Sequence, residues 1–521
     1  MYVTLTLALI LLWVIQKSIE FYWNVKAAGN HPGPRTILWH RQFLSLFLSR
    51  IPGLTVGANY VFNKKYEGEQ IRGTNIAEAS TNYPSSVQTD GMGHSRIEFL
   101  IADAIILKDV TTARVSFPKP TFLYRVLSVF GPNIIASEGD TWKKYRRISA
   151  PAFLDRNNRL VWEESLNVTR DLIHTVWKDK DVVEVEHAVN VTLPIALHVI
   201  GIAGFGRKMN WQADSIVLPG HTMPFHDALH LVSTGFIVKM VIPRWAMGLT
   251  RKWTEVINAF DELESYMLEM IANRRKAEKE ERYDLFSSLL DANDDEGLMG
   301  GEAKLTDPEL LGNIYIFLLA GHETAAHTLA FTFALLALYP DQQEALYCHI
   351  KNVIPDGRNP TYEEMSLFTH SVAVFYETLR LFPPVTSIPK MSTEDTVLVS
   401  TNRAGERKTI PVSQGAIVSI DVVGLHYNPR YWKDPEMFDP SRFLGDWPRE
   451  AFVPFSQGAR AYFLKIETEG VAVLTMLISK YKITIKEKPG ETFEERKDRI
   501  LQTRSGLTLT PINVPLVFTR R

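Results

Sequence analysis

The chain has 521 residues, of which 45% are hydrophobic and 22% charged, the balance of a globular protein with a sizeable core. Its net charge of −2 leaves no charge reason to expect nucleic acid or a strongly acidic partner. Cys348 is the single cysteine, which excludes an intrachain disulfide and fits a reducing compartment.

Residues 3–15 read VTLTLALILLWVI, and no charge appears before Lys17. Met1, Tyr2 and Gln16 extend this run toward the length of a membrane span, and Phe21, Tyr22 and Trp23 suit the membrane–water interface. A cleaved signal peptide is the rival, but the n-region lacks Lys and Arg, and Ala27-Ala28-Gly29 lies far beyond the apolar run. The reading is an anchor and interface segment over 1–26, a proline-containing hinge over 27–40 and one folded domain over 41–521. Lys17, Lys26 and Arg35 place that domain on the cytoplasmic side. His31-Pro32-Gly33-Pro34-Arg35 is the stiff turn of the hinge.

Residues 77–93 are polar and turn-rich, which predicts a loop, and 251–282 have the spacing of an amphipathic helix ending in a charge run. Residues 291–301 are acidic and Gly-rich, hence a surface loop. Thr306-Asp307-Pro308-Glu309 is a capping box, with Leu305 and Leu310 placed as its staple. The pattern then runs to Pro340, roughly 50 Å at 1.5 Å per residue, and is apolar nearly all round, as in a buried helix. Strand-like runs at 416–420 and 481–485 fall in the last third. The fold class is mainly α with a minor β component.

Inside the long helix stands Ala320-Gly321-His322-Glu323-Thr324. One reading has Thr324 bonding back to the i−4 carbonyl while Glu323 finds a buried partner. The other has Gly321 making room beside a flat ligand while Glu323 and Thr324 handle protons. His322 reads as a packed histidine. Glu377 and Arg380 share a helix face at i, i+3 and can pair. His426-Tyr427-Asn428-Pro429, then Phe438-Asp439-Pro440-Ser441-Arg442-Phe443, and finally Phe455-Ser456-Gln457-Gly458-Ala459-Arg460 follow.

In this order and spacing the chain resembles the cytochromes P450. The motifs are [A/G]-G-x-[D/E]-T at 320–324, E-x-x-R at 377–380, F-x-P-x-R-F at 438–443 and F-x-x-G-x-R at 455–460. W-x-x-x-R is a fifth, from Trp142 to Arg146. The resemblance implies that fold preceded by a membrane anchor, and a haem contacted by Ala320, Gly321, Phe455 and Gly458. It gives Trp142, Arg146 and Arg460 to the haem propionates. Glu323 and Thr324 would relay protons to dioxygen, while Glu377, Arg380 and Arg442 would form a structural ion-pair network. Lys143, Lys144 and Arg147 would face an acidic reductase. Phe317, Ala320, Val385, Ile388 and the stretch 505–509 would face substrate. The implied activity is oxidation of a hydrophobic small molecule by dioxygen at the endoplasmic reticulum membrane. Electrons would come from NADPH through a separate reductase, since nothing after 485 leaves room for a flavin domain.

The resemblance breaks at one place. Tyr462 stands where the family's haem-ligating cysteine belongs, and Leu464 where its next glycine belongs. Glu469 follows Tyr462 by seven residues, where the family's spacing is nine. A substituted, shortened patch between well-matching flanks is what a wrongly joined exon boundary leaves. Read as a real chain, it implies an inactive P450-fold protein or a haem held by Tyr462, because thiolate donation promotes O–O cleavage.

Overall fold

The computed structural model describes residues 2–27, 35–36, 86–89, 95–206, 211, 217–276, 284–294, 304–401, 407–457 and 464–521. The helices that frame the site are, in chain order, α1 (Tyr2–Ala27), α2 (Gly139–Ser149), α3 (Asp155–Asp171), α4 (Val189–Val199), α5 (Phe225–Val241) and α6 (Arg251–Lys276). After them come α7 (Asp307–Leu338), α8 (Pro340–Val353), α9 (Thr369–Leu381) and α10 (Leu464–Lys480). The expected predominance of helix with a minor sheet component is what is found.

The predicted capping box starts α7: the Thr306 N–H donates to Glu309 Oε2 (2.9 Å), and the Glu309 N–H donates to Thr306 Oγ1 (3.4 Å). Pro340, which cannot continue the helix, stands just past its end. Along its buried length Thr324, Thr328 and Thr332 each donate a hydroxyl to the carbonyl four residues back, which satisfies hydroxyls that water cannot reach. The first half of α7 packs with α2, α5 and α6, and the second half with α3, α8, α9 and α10. One helix therefore runs through both halves of the core.

A five-stranded sheet has the order β1-β2-β3-β8-β5, built from β1 (Arg35–Thr36), β2 (Ser86–Thr89), β3 (Ser95–Ile101), β5 (Ser387–Met391) and β8 (Ile417–Asp421). A three-stranded sheet runs β4 (Val182–Val185), β12 (Leu516–Arg520), β9 (Tyr481–Ile485), with Leu516 opposite both Val185 and Ile485. Two hairpins pair β6 (Thr396–Thr401) with β7 (Arg407–Val412), and β10 (Thr503–Ser505) with β11 (Leu509–Pro511).

Three expectations need correction. Part of the loop expected over 77–93 is strand: 86–89 form β2, and Val87 pairs with Ile97 of β3, while the rest lies outside the described residues. Residues 291–294 finish a helix, Leu285–Asp294, whose inner side is apolar, and 295–303 lie outside the described residues. The third is the membrane-spanning anchor. Residues 2–27 form one helix, but no helix among the described residues is long and apolar enough to cross a membrane. The apolar run stops before Gln16, Lys17, Ser18 and Glu20, so it covers roughly 20 Å of a ~30 Å hydrocarbon layer. Of the hinge, the described part comprises Ala27 and β1.

Candidate functional site

α9 presents the first cluster. Glu377 and Arg380 are fully buried and joined by two parallel bonds, Arg380 Nε to Oε2 (2.7 Å) and Nη2 to Oε1 (2.8 Å). Arg442 Nε reaches Glu377 Oε1 at 3.3 Å, and the Asp439 N–H donates to the same oxygen at 2.9 Å. The remaining Arg380 protons go to the carbonyls of His426 (2.9 Å), Pro435 (2.7 Å) and Met437 (3.1 Å). Arg442 also donates to the Lys433 and Asp434 carbonyls. The predicted ion-pair network is present, and it holds the segment 433–442 against α9.

His426, the first residue of the His-Tyr-Asn-Pro run, completes the cluster. Its Nδ1 donates to the Arg380 carbonyl (3.1 Å) and its Nε2 accepts the Val453 N–H (2.9 Å), so the ring is neutral. Burial, then the nearby Arg380 charge, pushes its pKa down to about 3. This ring ties α9 to the segment around Val453.

On α2, Trp142 is buried and Arg146, one turn on, is half-buried, as a shared face requires. Between them Tyr145 donates its hydroxyl to Glu309 Oε1 (2.7 Å), and Lys144 pairs with the same oxygen (2.6 Å). Burial pushes Glu309 up, but the Lys144 ammonium and the Thr306 N–H outweigh it and hold the carboxyl low. Lys144 therefore fastens α2 to the start of α7 and is not part of a free basic face. Lys143 pairs with exposed Asp140, and Arg147 is exposed. Gly312 lets the backbone of 131–132 approach α7, since a Cβ there would meet the Pro132 carbonyl oxygen at 2.4 Å. Asn313 accepts the Ile134 N–H (3.0 Å), fixing the segment that leads into α2.

The middle of α7 carries the second cluster. Thr324 donates to the Ala320 carbonyl at 2.6 Å, the back-bonded arrangement. The expectation that Gly321 opens space for a flat ligand is not met: a Cβ there would touch Ile200 at 3.0 Å, so close helix packing uses the space. Buried His322 has Nδ1 2.7 Å from the Leu318 carbonyl, a packed histidine as expected, and burial pushes its pKa down to about 4. Glu323 is buried, with no cation among the groups that shift it. Burial pushes its pKa from 4.5 up to about 7, against the Ser233 and Thr508 hydroxyls that hydrogen-bond it.

Phe317 is buried with its ring 6.1 Å from that of Phe153. The stretch 505–509 comes to α7: Thr508 Oγ1 is 2.9 Å from His327 Nδ1, and the Leu509 N–H donates to the Pro384 carbonyl at 3.0 Å. Those two bonds bring α7, the β10–β11 hairpin and the turn bearing half-buried Val385 together. Ile388 instead lies in β5 opposite Ile420, half-buried, and packs on the cluster of Ala102, Leu425 and Trp432.

Phe455 is half-buried, and Ser456 takes a left-handed φ of +71°. Gly458, Arg460 and Tyr462 lie outside the described residues. α10 buries Glu469, and Gly470 leaves room for the Phe375 ring, which a Cβ would meet at 2.2 Å. Cys348 is exposed on α8. The donor set does not fit a thiolate-ligated haem: the one sulfur that forms such a bond sits on a surface helix, and no cysteine occurs between 455 and 470.

The comparisons agree with the motifs. The family model described as Cytochrome P450 matches residues 89–507. Cytochrome P450 monooxygenase 124 of Postia placenta is 48% identical over 525 residues, covering 99% of each chain. Cytochrome P450 monooxygenase ORF6 of Penicillium roqueforti is 30% identical, over 81% of this chain and 79% of that one. Among solved structures, the haem domain of cytochrome P450DA superposes with a TM-score of 0.67 at 21% identity, over 84% of this chain and 90% of that one, a likeness of fold. The network around Glu377, the long α7 and these matches together place the chain in the cytochrome P450 family.

Proposed function

We propose that the chain is built as a haem-dependent monooxygenase of a hydrophobic small molecule, and that its present sequence leaves the haem without an axial thiolate. In the family reaction one atom of dioxygen enters the substrate and the other leaves as water, with electrons from NADPH through a separate reductase. The observation that carries the proposal is a contrast in one stretch of chain. The Glu377–Arg380–Arg442 network and His426 are fully assembled, while the stretch 455–470 that follows them in the chain has no cysteine. The fungal monooxygenase that is 48% identical from end to end favours the same activity class.

The test is the reduced, carbon monoxide-bound absorption spectrum of two proteins. The first is the chain as it stands; the second carries Tyr462→Cys, Leu464→Gly and the two absent residues. The repaired loop should give a thiolate-type spectrum and oxygenase turnover, and the unmodified chain neither. A thiolate-type spectrum from the unmodified chain would overturn the proposal, since Cys348 alone could supply the sulfur.

The same reading places the protein at the endoplasmic reticulum membrane with its domain facing the cytoplasm. Leu5, Leu7, Leu11, Leu12, Ile15, Ile19, Tyr22 and Trp23 of α1 are exposed, an apolar surface suited to a lipid interface. Asn167-Val168-Thr169 and Asn190-Val191-Thr192 are glycosylation sequons, and both asparagines are exposed, so burial would not protect them. They should stay unmodified in a eukaryotic host. Glycan at either one places the domain in the lumen and defeats the topology.

A further inference from the structure

The segment that leads into α5 is fastened to one side of α6. Glu262, Tyr266 and Glu269 recur there at i, i+4 and i+7, the spacing of a single helix face. Glu262 Oε1 accepts both the Thr222 N–H (2.9 Å) and the Thr222 hydroxyl (2.7 Å). The Tyr266 hydroxyl donates to the Met223 carbonyl at 3.0 Å. His221 lies flat on the Tyr266 ring, with centroids 3.6 Å apart and planes 1° apart. Its side chain is only 8% exposed, yet both ring nitrogens face carboxylates: Nδ1 is 2.8 Å from Glu262 Oε2, and Nε2 is 3.1 Å from Glu269 Oε2.

That geometry fixes the number of protons on the ring. A neutral imidazole has one N–H and one lone pair, so it bonds one carboxylate and turns a lone pair on the other. Carboxylates at both nitrogens are satisfied together only by the imidazolium, whose charge also suits the tyrosine face against it. A proton on Glu262 is no substitute, because that carboxyl already accepts two bonds from Thr222 and one from His221. Burial pushes Glu262 up, but those bonds outweigh it and hold the carboxyl low. Glu269 is half-exposed, so water solvates its charge.

We infer that His221 is a proton-dependent latch: as an imidazolium it ties the segment entering α5 to Glu262 and Glu269 of α6 at once, and as a neutral ring it releases one of them. The tie is complete at low pH, as long as the two carboxyls stay ionised, and weakens as pH rises through the titration of the ring. The groups facing His221 from α6 are Glu262, Tyr266 and Glu269, and His221 is the one cation among the described groups that shift Glu262. At the start of α5, His226 Nε2 pairs with its neighbour Asp227 Oδ1 at 2.9 Å. Phe225, the first residue of α5, is buried with its ring 5.4 Å from that of Tyr266, in the apolar cluster that also holds Phe317. The latch therefore acts where α5 is seated over the first half of α7. It uses none of the family motifs and does not depend on the monooxygenase reading.

The experiment is amide hydrogen exchange of the full chain, followed by mass spectrometry and corrected for intrinsic rates. The reporter is the peptide carrying the Thr222 amide, whose N–H ends on the latched carboxylate. A peptide from α7 shows that each variant is folded. Protection of the reporter should fall about tenfold between roughly pH 5.5 and 8.5, the weight of one charge-assisted hydrogen bond. His221→Gln should remove that step. Glu269→Gln should remove it too but keep the protection, because a glutamine amide can donate to Nε2 of the neutral ring while Nδ1–H stays on Glu262. No step in the unmodified chain, or a step that survives either substitution, overturns the inference. So does a folded Glu269→Gln protein whose reporter is unprotected at both ends of the range. The haem plays no part in this readout, so its failure and that of the carbon monoxide test are distinguishable.

Discussion

Glu377 and Glu323 are both carboxyls buried in the core, fifty-four positions apart, and their surroundings differ in one respect. Every polar group that touches Glu377 is a donor: two guanidinium groups and a backbone N–H. A proton on that carboxyl would have no acceptor, so it is a carboxylate, although burial by itself pushes it up. Glu323 is shifted by burial and by two hydroxyls, Ser233 and Thr508, and by no cation. Equal burial produces a charged structural clamp in one place and a carboxyl with its pKa raised to about 7 in the other. Partner chemistry decides which, because a buried charge persists only where compensating charge or enough donors surround it.

The largest expected effect lies at the clamp. Glu377→Ala or Arg380→Ala strands a buried charge and should cost about 3–5 kcal/mol, read as lost soluble yield and a lower denaturation midpoint. Normal stability of both variants would mean that the network is peripheral and the comparison empty.

Next comes the pH dependence of Glu323. Its folded pKa of about 7 lies above the ordinary 4.5, so its contribution is fully present below pH 4.5 and is lost as pH rises through 7. The loss amounts to about 3 kcal/mol by the linkage of one pKa unit to 1.36 kcal/mol. Glu323→Gln should therefore flatten the fall in stability across that window. The histidines act the other way: His322 and His327, lowered by burial to about 4 and about 3, hold stability above pH 6.5 and lose it as pH falls. Denaturation midpoints at pH 5, 6, 7 and 8 for both proteins decide the matter, and parallel profiles would show that Glu323 does not titrate there.

A smaller effect is expected at Lys144. It is mostly buried beside Glu309, and Lys144→Ala should cost about 1 kcal/mol by loosening α2 from α7. Arg147→Ala, on the exposed side of α2, should leave the denaturation midpoint unchanged. Equal effects at the two positions would show that Lys144 acts as another surface charge.

Much of this was legible in the residues themselves. The capping box at Thr306, the apolar run to Pro340 and the i, i+3 spacing of Glu377 and Arg380 are local patterns, and local patterns act through helix geometry alone. The absence of a cysteine between 455 and 470 is likewise a fact of sequence, and no folding can alter it. Tertiary structure decided what depended on distant partners. It placed Ile200 against Gly321, Glu309 against Lys144, and Val453 on the far nitrogen of His426. It also brought Ser233 and Thr508, 90 positions before and 185 after, to the same carboxyl. The charge on a buried acid is set by which groups surround it in space, and spacing along the chain carries no record of that.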